Sequence, residues 1–147
     1  MIRDATHADI PAMVDMGQSF FAASGYGDVT EYDPASAACT FAMLIDSPDG
    51  VALIADDDGP VGTAAALVYP FFFNHSHRHG QELFWWVNPD ARGVGAGLLR
   101  ELEARAVSLG AKSLAVAAVA TLRPEALAAF YRRAGFHPSD SSFVKAL

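Results

Sequence analysis

The sequence predicts an α/β fold: a mixed central sheet of about six strands in the order βααβββαβαβ, with helices on both faces. Three observations carry this reading. Helical and strand-like periodicities alternate along most of the chain. Three strand-like runs follow one another between Val51 and Asn88, separated by turn signals that call for antiparallel pairing. A glycine-rich turn, Arg92-Gly93-Val94-Gly95-Ala96-Gly97, stands between the apolar run Leu83 to Val87 and a helical segment, Leu98 to Leu109. No repeat, linker or low-complexity tract suggests a second unit, so residues 1–147 are expected to form one domain.

Each element has its own warrant. Ile2-Arg3 can begin a short strand, and Thr6 with Asp9 has the spacing of a capping box for a helix from about His7 to Ala23. In that helix Ile10, Met13, Val14, Gly17, Phe20 and Phe21 share one side of a 3.6-residue period. Residues Ser24 to Tyr32 break the period with two glycines and form a loop long enough to line a site. Asp33-Pro34 supplies an N-cap and a first-turn proline for a second helix, Ala35 to about Asp46, which ends before Ser47-Pro48-Asp49-Gly50. Val51 to Ala55 and Pro60 to Tyr69 read as a hairpin around Asp56-Asp57-Asp58-Gly59. A second reversal, Phe72 to Gly80, leads into a strand from Gln81 to Asn88. The third helix, Val94 to Leu109, ends at Gly110 in a C′ position, and Lys112 to Val119 reads as a strand buried on both faces. Pro124 starts the fourth helix, which carries Leu127, Phe130 and Tyr131 and stops at Gly135-Phe136, and Ser142 to Ala146 is expected to be the last strand.

Composition narrows the function classes. With 52% hydrophobic and 18% charged residues, the chain can bury a full core without staples. The single cysteine, Cys39, cannot form an internal disulfide and stands in no CxxC or Cys/His ligand spacing, which fits a reducing cytoplasm. No apolar run approaches the roughly 20 residues of a membrane span, and the first residues lack the apolar core of a signal peptide. A formal net charge of −7 argues against a general nucleic-acid binder and mildly favours cationic partners.

The glycine turn is the most informative stretch. Glycines let an anion approach the backbone, and the first free N–H groups of a helix then point at it with the positive end of the macrodipole. A phosphate or pyrophosphate is the expected ligand. The GxGxxG spacing of a dinucleotide site fails, because Leu98 or Arg100 falls where the last glycine belongs. No Gly-Lys-Ser/Thr tripeptide occurs, so a P-loop is excluded as well.

What remains, Arg92-x-x-Gly95-x-Gly97 after a strand and before a helix, resembles the phosphate-binding motif of the GNAT superfamily of acyl-CoA-dependent N-acyltransferases. Val87-x-Pro89-x-x-Arg92 is similar to that family's strand exit, and Phe130-Tyr131-x-x-x-Gly135-Phe136 to its C-terminal helix signature. The resemblance spans essentially the whole chain. One departure is clear: the family often has an Asn near the start of the last helix, where Arg123-Pro124-Glu125 stands here. The resemblance implies that backbone amides of Arg92, Gly93, Val94, Gly95, Ala96, Gly97 and Leu98 cradle the pyrophosphate of acetyl-CoA. It also implies that the edge of Trp85-Trp86-Val87 bonds the pantetheine arm like an added strand.

Acyl transfer to an amine needs a neutral nucleophile, a polarised thioester carbonyl and a proton for the departing thiolate. By the resemblance, Tyr131 supplies that proton; without the motif it reads as a partner for Phe130. Glu82 is a candidate base, acting directly or through water, or else an exposed acid at a strand's start. Strict alternation puts Glu82, Phe84 and Trp86 on one face, but a bulge, common in the family at this strand, shifts that register. His75, His77 and His79 have the alternation of a metal site on a strand, yet read better as a solvated turn, and no metal is assigned. The His75 to His79 loop, together with Tyr26, Asp28, Glu31 and Tyr32, can instead border the acceptor, with acids suited to a cationic amine, or those acids are ordinary surface residues. Phe71-Phe72-Phe73 reads as core or interface, a candidate homodimer patch. The expected activity is N-acetylation of a primary amine by acetyl-CoA, and the alternative is an acyl-CoA-binding module without turnover.

Overall fold

The computed structural model describes residues 1–91 and 93–147. In chain order they form β1 (Ile2–Asp4), α1 (Ile10–Ser24), α2 (Pro34–Asp46), β2 (Gly50–Asp56), β3 (Pro60–Phe71), β4 (Asn74–Val87), α3 (Val94–Ser108), β5 (Ser113–Ala115) and α4 (Pro124–Arg133). Short 3₁₀ turns at His7–Asp9 and Tyr26–Asp28 flank α1. The strands lie in the order β1-β2-β3-β4-β5, antiparallel up to β4, with β5 parallel to β4. This is the α/β fold with a mixed sheet that the sequence predicts, with five strands described.

Alternation along β2 and β3 builds the two halves of the core. Ala52, Ile54 and Ala65 face α1 and α2, where Met13, Met16, Phe41 and Leu44 meet them. Val51, Leu53, Ala55, Ala64 and Ala66 face the opposite way, onto Leu98 and Leu102 of α3. Strands so buried on both faces read as continuous apolar runs, which is why Val51 to Ala55 was unmistakable in the sequence. The Thr6–Asp9 pair forms as expected: the Thr6 N–H and hydroxyl both donate to Asp9 Oδ2, at 2.7 and 2.9 Å. Arg3 clamps the same buried carboxylate from the other side, at 2.8 and 2.7 Å. Asp33 caps α2 by accepting the Ala35 N–H at 3.1 Å.

Three expectations need correction. The second reversal is only the Phe72-Phe73 turn, because β4 begins at Asn74 and the histidines belong to that strand. Ring contacts hold the extension together: Tyr69 meets His79 edge-on at 5.6 Å and Phe71 meets His79 at 5.4 Å. The strand expected over Lys112 to Val119 is only Ser113–Ala115, half-buried to exposed, because the chain leaves β4 directly afterwards. Ser142 to Ala146 forms no strand and lies exposed. Its run holds two large apolar residues, Phe143 and Val144, too little burial to offset the cost of ordering it on a three-residue edge.

Candidate active site

The site grows from one irregularity in β4. Ala66 pairs with Glu82 and Ala65 with Phe84, so Leu83 is an extra residue, a β-bulge. The bulge separates Glu82 from Phe84 and Trp86, which strict alternation would have put on one face. Phe84 and Trp86 turn to the α1/α2 side, and Glu82 takes the α3 side with Ala66. The bulge also resets the backbone. Asn88 donates its N–H to Val61 C=O at 2.9 Å, so by strand alternation the groups of Trp86 point to β3 and those of Trp85 and Val87 point away from it. Beyond the last β4–β5 pair, Gln81↔Ala115, that outer side of β4 faces the opening between the two strands.

A carboxylate stands at the fork. Glu82 Oε2 accepts the Ala117 N–H at 2.9 Å, taking the place of a ladder bond as β5 departs. The carbonyl of the same residue accepts the Tyr131 hydroxyl at 3.0 Å. One residue, Ala117, thus ties the acid to the phenol, a juxtaposition that no sequence pattern signals. Burial pushes the Glu82 carboxyl up to about 7, against the opposing pull of the Ala117 N–H. Burial also raises the Tyr131 hydroxyl well above the ordinary phenol range, and the nearby Glu82 charge adds to the rise. The pair is therefore an acid–base couple in which the phenol keeps its proton and the carboxyl exchanges one near neutrality.

The glycine turn lies beside this fork. Gly93, with φ +82°, is the left-handed residue before α3, and as a glycine it offers no side-chain cap to the first N–H groups of that helix. The other two glycines serve close packing. A Cβ on Gly95 would stand 3.1 Å from Trp85 Cζ2, and one on Gly97 would stand 2.7 Å from Ile2 Cδ1. Val94 and Ala96 complete the first turn, and Leu98 is fully buried in the core beneath it. Arg92 lies outside the described residues. From the far side, α4 lays Phe130 on Trp85 as a stacked pair, centroids 5.8 Å apart, with Tyr131 at 6.0 Å from the same indole.

The remaining candidates scatter. Tyr32 donates to Val14 C=O at 2.7 Å across Gly17, and Tyr26 packs edge-on against Phe20 at 6.0 Å, so both tie the loop to α1. Asp28 and Glu31 are exposed on that loop. Thr121 joins the wall by donating to Ala23 C=O at 2.7 Å, a contact that the sequence did not single out. His77 Nε2 and His79 Nδ1 both reach Ser113 Oγ, at 2.7 and 2.8 Å, and no group of three or more metal-ligating side chains occurs among the described residues. A cavity of about 300 Å³ between α3, β5 and Gly135-Phe136 is lined by no residue of the glycine turn, and its Phe136 packs on Tyr131 at 5.7 Å.

Solved structures place this architecture in a class. A predicted acetyltransferase from Clostridium acetobutylicum, solved with acetyl-CoA, matches with a TM-score of 0.75 at 20% identity over 99% of this chain and 94% of its own. A Trypanosoma brucei acetyltransferase matches at 0.74 and 18% identity, over 100% of this chain and 99% of its own. A ribosomal-protein-alanine N-acetyltransferase from Brucella melitensis biovar Abortus 2308 matches at 0.73 and 21% identity over the same shares. These likenesses define an acetyltransferase fold. The family model described as "Acetyltransferase (GNAT) family" matches residues 15–136, and the chain belongs to that family. No curated protein matches it.

Proposed function

We propose that this protein transfers an acetyl group from acetyl-CoA to a primary amine by direct attack on the thioester. The observation that supports this most is the meeting of Glu82 and Tyr131 on Ala117, at the fork of β4 and β5 and beside an uncapped helix start. The chain's features suit the donor. The amides of Gly93 to Ala96, which precede the first intrahelical bonds, fit a diphosphate, stabilised by up to ~2 kcal/mol by the helix terminus; Gly97 and Leu98 continue the turn beneath them, and Arg92 joins on sequence grounds. The outward backbone groups of Trp85 and Val87 fit the pantetheine amides, while Trp86 contributes by keeping β4 bound to β3.

The donor supplies an activated thioester carbonyl. Glu82, with its proton affinity near neutrality, takes a proton from the incoming ammonium, directly or through water. The amine nitrogen bonds to the acetyl carbon, the C–S bond breaks as Tyr131 gives its proton to the leaving sulfur, and the second proton that the nitrogen loses as the amide forms returns to the Tyr131 phenolate through water, while Glu82 releases its proton to solvent. Tyr131 must release Ala117 C=O to do so, and that carbonyl is then free for the amine's remaining N–H. Residues 1–147 act as one domain in this reading, in the cytoplasm and without a metal. Neither nucleic acid nor a membrane takes part; among the described residues no helix is long and apolar enough to cross one. The exposed Phe72 and Phe73, 67% and 82% accessible, are the patch through which a homodimer would form.

An amine panel with thiol release as readout tests the proposal. CoA release that depends on one amine class supports it. Tight CoA binding with no release for any amine would instead favour a non-catalytic acyl-CoA-binding module.

A further inference from the structure

Among the described residues, two buried side-chain polar atoms lack a hydrogen-bond partner: Thr63 Oγ1 and Trp85 Nε1. They are not equivalent. Thr63 sits within β3 between Ile54 and Trp86, fully buried, with no route for a ligand. Trp85 stands where β4 faces the opening. Its Cζ2 is the atom nearest a Cβ on Gly95, and the ring carbon bonded to Cζ2 carries Nε1. The orphaned N–H is therefore two bonds from the contact with the first turn of α3.

An unmade buried hydrogen bond costs a protein about as much as a large mutation, so each one calls for a reason. The neighbouring Trp86 shows how this chain satisfies an indole: its Nε1 donates to Asn88 Oδ1 at 3.1 Å. Trp85 has no such side chain, and Phe130 stacks over it. We infer that the Trp85 indole N–H is a ligand for the acyl donor, giving its hydrogen bond to an oxygen of the diphosphate–pantetheine arm. Phe130 stacks on the face of the indole and leaves its N–H without an acceptor. This rests on the proposed acetyl-CoA site and assigns it a side-chain donor that neither the glycine motif nor the strand edge contains. Because Phe130 and Tyr131 are consecutive and both touch Trp85, a donor arriving at the indole also sets the position of the phenol.

The test is calorimetric titration with CoA of three proteins: the wild type, Trp85→Phe, and a variant with 3-benzothienylalanine at position 85. The last keeps the fused rings and replaces the N–H by sulfur, so it separates the hydrogen bond from packing on Gly95. Affinity roughly tenfold weaker in both variants is expected for one lost hydrogen bond. Pantetheine locates the acceptor: a penalty kept without the diphosphate assigns it to an amide carbonyl, and one seen only with CoA to a diphosphate oxygen. If the benzothienyl variant binds CoA as tightly as the wild type, the inference falls while the donor site stands. If the wild type does not bind CoA, the donor site itself falls.

Discussion

Replacing Glu82 by Gln changes the protein in two ways that share one cause. The amide keeps an oxygen for the Ala117 N–H and removes a charge whose burial raises the carboxyl to about 7. An acid with a raised value in the folded state holds its proton longer when folded than when unfolded. Below about pH 4.5 both states are protonated and the residue costs nothing. Between that value and about 7 the unfolded chain ionises first, so stability falls as pH rises; above 7 the cost is constant. At ~1.4 kcal/mol per pH unit the full displacement corresponds to about 3 kcal/mol, and the residual solvent contact of the carboxylate reduces this to about 2 kcal/mol. Urea unfolding of both proteins at pH 4, 6 and 8 measures it, since all other titrating groups cancel in the difference. Glu82→Gln should gain about 2 kcal/mol on the wild type between pH 4 and pH 8. The same substitution should remove the rise of kcat/KM through pH 7. Parallel stability curves would refute the burial argument, and an unchanged pH–rate profile would leave water as the base.

Further expectations concern Tyr131, the glycine turn and the Arg3–Asp9 pair. Tyr131→Phe keeps the ring on Trp85 and loses the proton, so kcat should drop about 100-fold with the KM for acetyl-CoA nearly unchanged; equal kcat in steady-state assays removes Tyr131 from the chemistry. Gly93→Ala meets no neighbour within 4 Å but must hold φ +82°, which should cost about 1 kcal/mol and lower Tm by roughly 3 °C in a thermal melt. Gly95→Ala acts differently, by pressing on Trp85. Arg3→Ala strands the Asp9 carboxylate, which the guanidinium holds well below the usual carboxylate range. A lowered acid stabilises the fold above its unfolded value; with the guanidinium one-third exposed and the Thr6 bonds to Asp9 retained, the loss should be about 1–2 kcal/mol at pH 7 and shrink as acid protonates Asp9. A pH-independent gap between the two proteins would refute that pairing.

The sequence was most legible where local rules and burial agree. The Thr6–Asp9 box, the Asp33 cap and the left-handed Gly110 and Gly135 are consequences of neighbours within a few residues, and β2 shows in the sequence as a short apolar run. The glycine turn was legible as an anion cradle, yet Gly95 and Gly97 also owe their identity to Trp85 and Ile2, partners far away in sequence. Glu82 and Tyr131 each stand out singly in the sequence. Their junction at Ala117 was not visible, because it depends on where β5 leaves the sheet, and that departure is set by a bulge and a side chain on another strand. Period-two reading fails at a bulge by construction, since one extra residue exchanges the faces of everything beyond it. The histidines read as a loop for a related reason: their polarity resembles a turn, while aromatic partners on β3 hold His77 and His79 in a strand.

The central claim is that the turn before α3 and the fork of β4 and β5 together hold an acyl-CoA. Titration of CoA into the purified protein, with ATP and NAD as competitors, measures this most directly. The account predicts one CoA per chain, displaced by acetyl-CoA and by neither nucleotide. A folded protein that ignores CoA, or that releases it to ATP at comparable concentration, would contradict the account.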